Sequence, residues 1–149
     1  MTITRANAEA EIVARVGAWM TAAGLAVTTA GANASLNSPI GWAIRLSGGS
    51  VSAPALITST DVQTVADADL DKFYDLAELR TLETVLSNYT GVDKKAGPVE
   101  LKSSQMGDRL LAVLDRKRAQ IAADYGIGSY GAFSVALTRT DGYSELAAE

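Results

Sequence analysis

The chain has 149 residues, 48% hydrophobic and 20% charged, the size and composition of one globular domain with a core of its own. Thirteen basic against seventeen acidic residues leave a net charge of −4, which argues against a free basic surface for nucleic acid. Cys and His are both absent, which excludes disulfides, thiolate nucleophiles, Ser-His-Asp machinery and His- or Cys-ligated metals.

Arg5, Glu9, Glu11 and Arg15 interrupt the first fifteen residues, so no secretory signal is expected there. Residues 16–44 carry no charge, and Arg45 is the only charge between Val16 and Thr60. The run is broken by glycines, asparagines and Pro39, so a membrane span is not expected. It reads as a low-charge region that packs against its own core or a neighbouring chain.

The first helix is expected after Thr4, a plausible N-cap, and runs to about Ala23 with Gly24 as its stop. Ile12, Val16, Trp19, Met20 and Ala23 recur at helical spacing. Residues 24–37 read as a loop. Ser38 as N-cap and Pro39 in the first helical position open a short second helix, ended by Gly48-Gly49. Ile40, Ala43 and Ile44 form one face of it, Trp42 and Leu46 another. Residues 50–60 form an uncharged connector broken by Pro54, and Thr60-Asp61-Val62-Gln63 fits a capping box opening a single turn.

A long helix is expected from about Asp67 to Tyr89. Leu70, Phe73, Leu76, Leu79, Leu82, Leu86 and Tyr89 step by three or four, with Tyr74, Ala77 and Val85 beside them. A polar loop over residues 91–100 leads to a further helix from about Ser103 to Tyr125, stopped by Gly126. After it, Phe133, Val135 and Leu137 alternate with Ser134, Ala136 and Thr138, a short strand signal. A single strand leaves its backbone groups unpaired, so this tail is expected to dock on a partner. The expected fold is all-α: a four-helix domain over residues 1–126 and an extended tail over 127–149. Its core is expected at Ile12, Val16, Met20, Ile44, Leu79, Leu82, Leu86, Leu110, Leu114 and Ile121.

Residues 126–131 spell G-x-G-x-x-G, but they follow a helix and precede an extended stretch, so they read as a helix stop and hinge rather than a dinucleotide fingerprint. Asp67, Asp71, Asp75 and Glu78 share one face of the long helix. Carboxylates so placed can bind metal or move protons, yet no second cluster of reactive groups accompanies them, and an ion-paired or solvated face is the better reading. Lys102, Arg109 and Arg116 recur every seven residues, with Lys117 and Arg118 beside them. They are expected to pair with carboxylates, within or between chains, rather than to bind phosphates. No catalytic residue and no cofactor is expected.

Met1 to Glu9, Asn33 to Ala43, Asp69 to Glu83, and Val92 to Pro98 with the basic helix after it are segments in which the chain resembles the head–tail connector (adaptor) proteins of long-tailed phages. The resemblance covers residues 1–126. It implies a helical structural protein of the virion neck that forms a twelve-fold ring beneath the portal. Such a ring receives a tail-side stopper and lets DNA pass through its lumen without specific binding. It would be assembled in the host cytoplasm, and its C-terminal segment, with Phe133, Val135 and Leu137 on the buried side, would dock on the portal or a neighbouring subunit. Part of the acidic set would face the lumen, where like charge keeps DNA mobile. A cytoplasmic helical adaptor or assembly chaperone outside any virion is the alternative. A carboxylate-dependent enzyme is the third class.

Overall fold

The computed structural model describes residues 2–92 and 100–128. Among these the fold is all-α, with no strand. The helices are α1 (Arg5–Ala22), α2 (Asn37–Leu46), α3 (Ser59–Val62), α4 (Leu70–Val92) and α5 (Glu100–Tyr125). Short 3₁₀ turns at Ala34–Leu36 and Asp67–Asp69 lead into α2 and α4. Of the loop expected over residues 91–100, residues 91 and 92 still belong to α4 and residue 100 opens α5, ahead of the expected start at Ser103; residues 93–99 lie outside the described residues, as do the expected tail strand with Phe133, Val135 and Leu137 and the Lys102 side chain.

The chain divides into two compact units, Met1–Asp115 and Arg116–Glu149. In the first, α4 packs against both α1 and α2. Its apolar repeat explains why: Phe73, Leu76, Ala77, Leu82 and Val85 are fully buried, and they meet helices whose own inner faces carry Ile12, Val16 and Met20 or Ile40, Ala43 and Ile44. Leu110 and Leu114 of α5 are fully buried in the same unit. In the second unit, Ile121 is buried and Arg118 exposed. Gly126, at φ 68°, ends α5 with its amide on the Ala122 carbonyl. Of the ten expected core residues, nine are buried, and Leu86 is only half-buried. The stretch between α2 and α4 also contributes, through Ile57 of the connector, Val62 of α3 and Val65 just after it.

Helix starts follow side-chain caps, and two of them differ from expectation. Thr4 caps α1 as its sequence implies, accepting from the Asn7 amide. Ser38 does not cap α2. Asn33 accepts the Ser35 amide, so the chain turns at 34–36 and runs straight into α2 from Asn37. The capping box lies at Thr58 and Asp61 rather than at Thr60 and Gln63, because the Asp61 carboxylate reaches back to the Thr58 amide while Thr58 Oγ1 accepts the Asp61 amide. At the end of α2, Gly48 adopts φ 82° and Gly49 packs so closely that an added Cβ would lie 2.6 Å from Thr64 Oγ1 and 2.7 Å from Ile44 Cγ2. Glycine is required at both positions, one for its backbone conformation and one for space.

Candidate functional site

The first polar centre is an ion pair inside the protein. Arg5 and Glu9, one turn apart on α1, are 2% and 0% exposed. Arg5 Nε donates to Glu9 Oε1 at 2.9 Å. The rest of the guanidinium reaches two other segments, donating to the Ile57 carbonyl at 3.0 Å and the Asn33 carbonyl at 2.9 Å. Glu9 in turn accepts the Gly31 amide at 2.7 Å and the Asn33 amide at 2.8 Å. Asn33 Nδ2 donates to the carbonyls of Ala26 and Thr28. The start of α1 thereby fixes residues 26–33 and residues 57–59, the latter also through the Arg5 amide on Ser59 Oγ. A buried charge pair is tolerable when its polar atoms are partnered, and here each guanidinium nitrogen and each carboxylate oxygen has a hydrogen bond.

Asp61 is the second centre, 3% exposed. Oδ1 accepts from the Ser52 amide and hydroxyl, and Oδ2 from the Thr58 amide and hydroxyl. The Ser52 hydroxyl is the largest influence, followed by the two amides. Together they outweigh burial and hold the Asp61 carboxyl far below the usual aspartate range. Thr64 Oγ1 accepts the Ser50 amide and donates to the Asp61 carbonyl. The loop between α2 and α3 is therefore tied down along its length.

The third centre contains part of the acidic stripe. Arg15 of α1 pairs with Glu11 at 3.0 Å and lies 3.4 Å from both Asp75 and Glu78 of α4. Its guanidinium also stands 5.4 Å from the Tyr74 ring centroid. Burial pulls the Arg15 pKa down, but hydrogen bonds to Glu11 and Glu78, with their charges, more than reverse this and raise it. Burial, then the Glu11 charge, pushes the Tyr74 hydroxyl up. Arg80 of α4 pairs with Glu83 and stands 5.8 Å from the Trp42 ring centroid, so Trp42 is an anchor between α2 and α4.

The structure thus splits the expected charge stripe. Asp75 and Glu78 come together on Arg15, Asp71 is exposed, and Asp67 lines an open hollow of about 250 Å³ with Thr2, Ile3, Val62, Val65 and Leu70. Arg15, the cation that Asp75 and Glu78 share, lies on α1. Arg109 and Arg116 are exposed and form no ion pair among the described residues. Their spacing from every carboxylate on α5 is wrong for a helical pair, which needs three or four residues. No group of three or more Asp or Glu is placed to hold a metal ion among the described residues, and no described helix is long and apolar enough to cross a membrane.

Sequence reasoning missed the Arg5–Glu9–Asn33 centre. A signal was present: Arg5, Glu9, Ile12, Val16 and Met20 step by four, three, four and four, so the two charged residues continue the buried stripe. Compared with protein-family models, curated proteins and solved structures, the chain matches none.

Proposed function

We propose that the protein is a structural component of a phage virion, a head–tail connector whose copies form a ring beneath the portal, meet a stopper on the tail side and let DNA pass. One observation carries this reading. Three of the segments that resemble the connector family are the segments that bind one another here: Arg5 and Glu9 from the first hold Asn33 of the second, and α2 from the second packs on α4 from the third. The resemblance therefore falls on the framework of one helical unit rather than on scattered strings. The polar centres support a scaffold role, since their groups are engaged in holding helices and loops rather than turned toward a substrate. The net charge of −4 suits a lumen that must not grip DNA.

The test is assembly. The full chain, alone and mixed with the portal protein of the same phage, is examined by size-exclusion chromatography with light scattering and by negative-stain imaging. A twelve-fold ring, formed alone or on the portal, is the expected result. Monomers or dimers in both conditions, with no portal binding, would overturn the reading and favour the free helical adaptor.

A further inference from the structure

Two loops stand apart from the helices. Residues 23–33 follow α1, and residues 47–58 join α2 to α3. Both are about twice the usual connection length, and binding residues are commonly carried on loops held by a rigid scaffold. These two are held together from inside. The Arg5 guanidinium donates to a carbonyl at the end of each, Asn33 and Ile57. The Asn33 side chain grips the carbonyls on either side of Val27, and the Asn37 side chain donates to the carbonyl of Ala55, next to Leu56. Asp61 fixes Ser52. A buried ion pair is weak as a source of stability, and selection of one loop arrangement is the use that fits it here.

What this platform displays is uncharged, with Val27, Pro54 and Leu56 exposed among hydroxyl side chains such as Thr28, Thr29 and Ser52. Val27 is 40% exposed and Leu56 57% exposed. With Leu46 they are three of the four large hydrophobic residues exposed among the described residues. Residues 17–59 carry one charge, Arg45. Centres of protein interfaces are depleted in charge in this way. A charged segment seated there would lose its hydration and gain no counter-charge, so the occupant must itself be apolar and uncharged. The longest other charge-free stretch of the chain is residues 125–138, which carries Phe133, Val135 and Leu137. Copies of a chain at −4 repel each other, and a contact neutral on both sides is where they meet at least electrostatic cost.

We propose that the platform of residues 23–33 and 47–58 receives residues 126–138 of a second copy of this chain. The proposal goes beyond the connector reading and does not require it, since it needs only copies of the chain. Each copy offers one platform and one segment, so the contact is head-to-tail and can propagate around a closed assembly.

Sedimentation velocity on the full chain over a concentration series tests this. Val27→Asp/Leu56→Asp alters the platform, and Phe133→Asp/Leu137→Asp alters the segment. Each variant is expected to weaken self-association by about tenfold or more while far-UV circular dichroism stays that of the parent. Should the platform variant unfold, Val27→Ser/Leu56→Ser replaces it. The decisive sample is a mixture of the two variants. The platform variant still owns an intact segment and the segment variant an intact platform, so one-to-one heterodimers form and do not extend. A parent chain that stays monomeric throughout, a platform variant that associates like the parent, or a mixture without heterodimers overturns the proposal. So does a segment needed only for binding a portal ring, or one that docks within its own chain at every dilution.

Discussion

Replacing Glu9 with Ala tests the central polar feature of the fold. The change leaves the Arg5 guanidinium inside the protein with its two carbonyl acceptors but no counter-charge. It also leaves the Gly31 and Asn33 amides without the oxygens they now bind at 2.7 and 2.8 Å. Removing one member of a buried ion pair costs about 3–5 kcal/mol. Each orphaned amide would add about 1–3 kcal/mol if it stayed dry. The loop over residues 26–33 can instead open to water, which limits the sum, so the expected loss is about 3–5 kcal/mol. Against a total of about 5–15 kcal/mol for a domain, that is a large fraction. For a unit of this size it corresponds to a fall in Tm of about 10–20 °C. Urea unfolding followed by circular dichroism and by Trp19 and Trp42 fluorescence measures it. Native-state hydrogen exchange should show Gly31 and Asn33 losing protection before the helices do. The double variant Arg5→Met/Glu9→Leu should cost less than the two single changes added together, since neither charge is then stranded. A loss below about 1 kcal/mol for Glu9→Ala, with both amides still protected, would refute the reasoning.

The Asp61 carboxyl titrates far lower in the folded protein than in the unfolded chain, so its contribution is full above about pH 4 and is lost as the pH falls below that value. Asp61→Asn should therefore flatten the acid limb of the stability profile, measured as urea midpoints at neutral pH and at about pH 3. Leu114→Ala empties a fully buried site and should cost about 2–5 kcal/mol in the same assay. Asp75→Lys/Glu78→Lys places like charges beside Arg15 and should destabilise by about 1 kcal/mol or more, an effect that weakens in salt, whereas Asp71→Lys on the exposed part of the stripe should stay within about 0.5 kcal/mol.

How far the fold could be read from the sequence depended on whether the signal was local. The periodic leucines of α4 fix its face because every third or fourth side chain meets the same neighbours. Thr4 and Gly24 bracket α1 for equally local reasons. The start of α2 was not legible, because Asn33 bends the chain through a 3₁₀ turn and carries the helix past Ser38. The capping box expected at Thr60 to Gln63 lies at Thr58 to Asp61 instead, where the Asp61 carboxylate is also held by Ser52, nine positions away in the chain. The pairing of Asp75 and Glu78 with Arg15 was not legible for the same reason, since Arg15 lies sixty residues before Asp75.

The charged groups of this protein fall into two kinds, and the difference bears on what the surface is for. Arg5, Glu9 and Asp61 are inside, with every side-chain nitrogen and carboxylate oxygen in a hydrogen bond, and all three act on loops. Arg15, Asp75 and Glu78 are nearer the surface and join two helices at longer distances, 3.4 Å on each carboxylate. Exposed pairs contribute about 0–1 kcal/mol and can be lost with little change in fold. Buried ones cannot, because a stranded charge or amide has no water to turn to. The helices, whose apolar faces already determine how they pack, need little polar reinforcement. The loops have few apolar contacts of their own beyond residues such as Ile57, so ordering them requires specific hydrogen bonds. The strongest polar interactions thus converge on the two loops that present Val27 and Leu56 to solvent and hold them in one arrangement, which is the preorganisation that the proposed docking of a second copy requires.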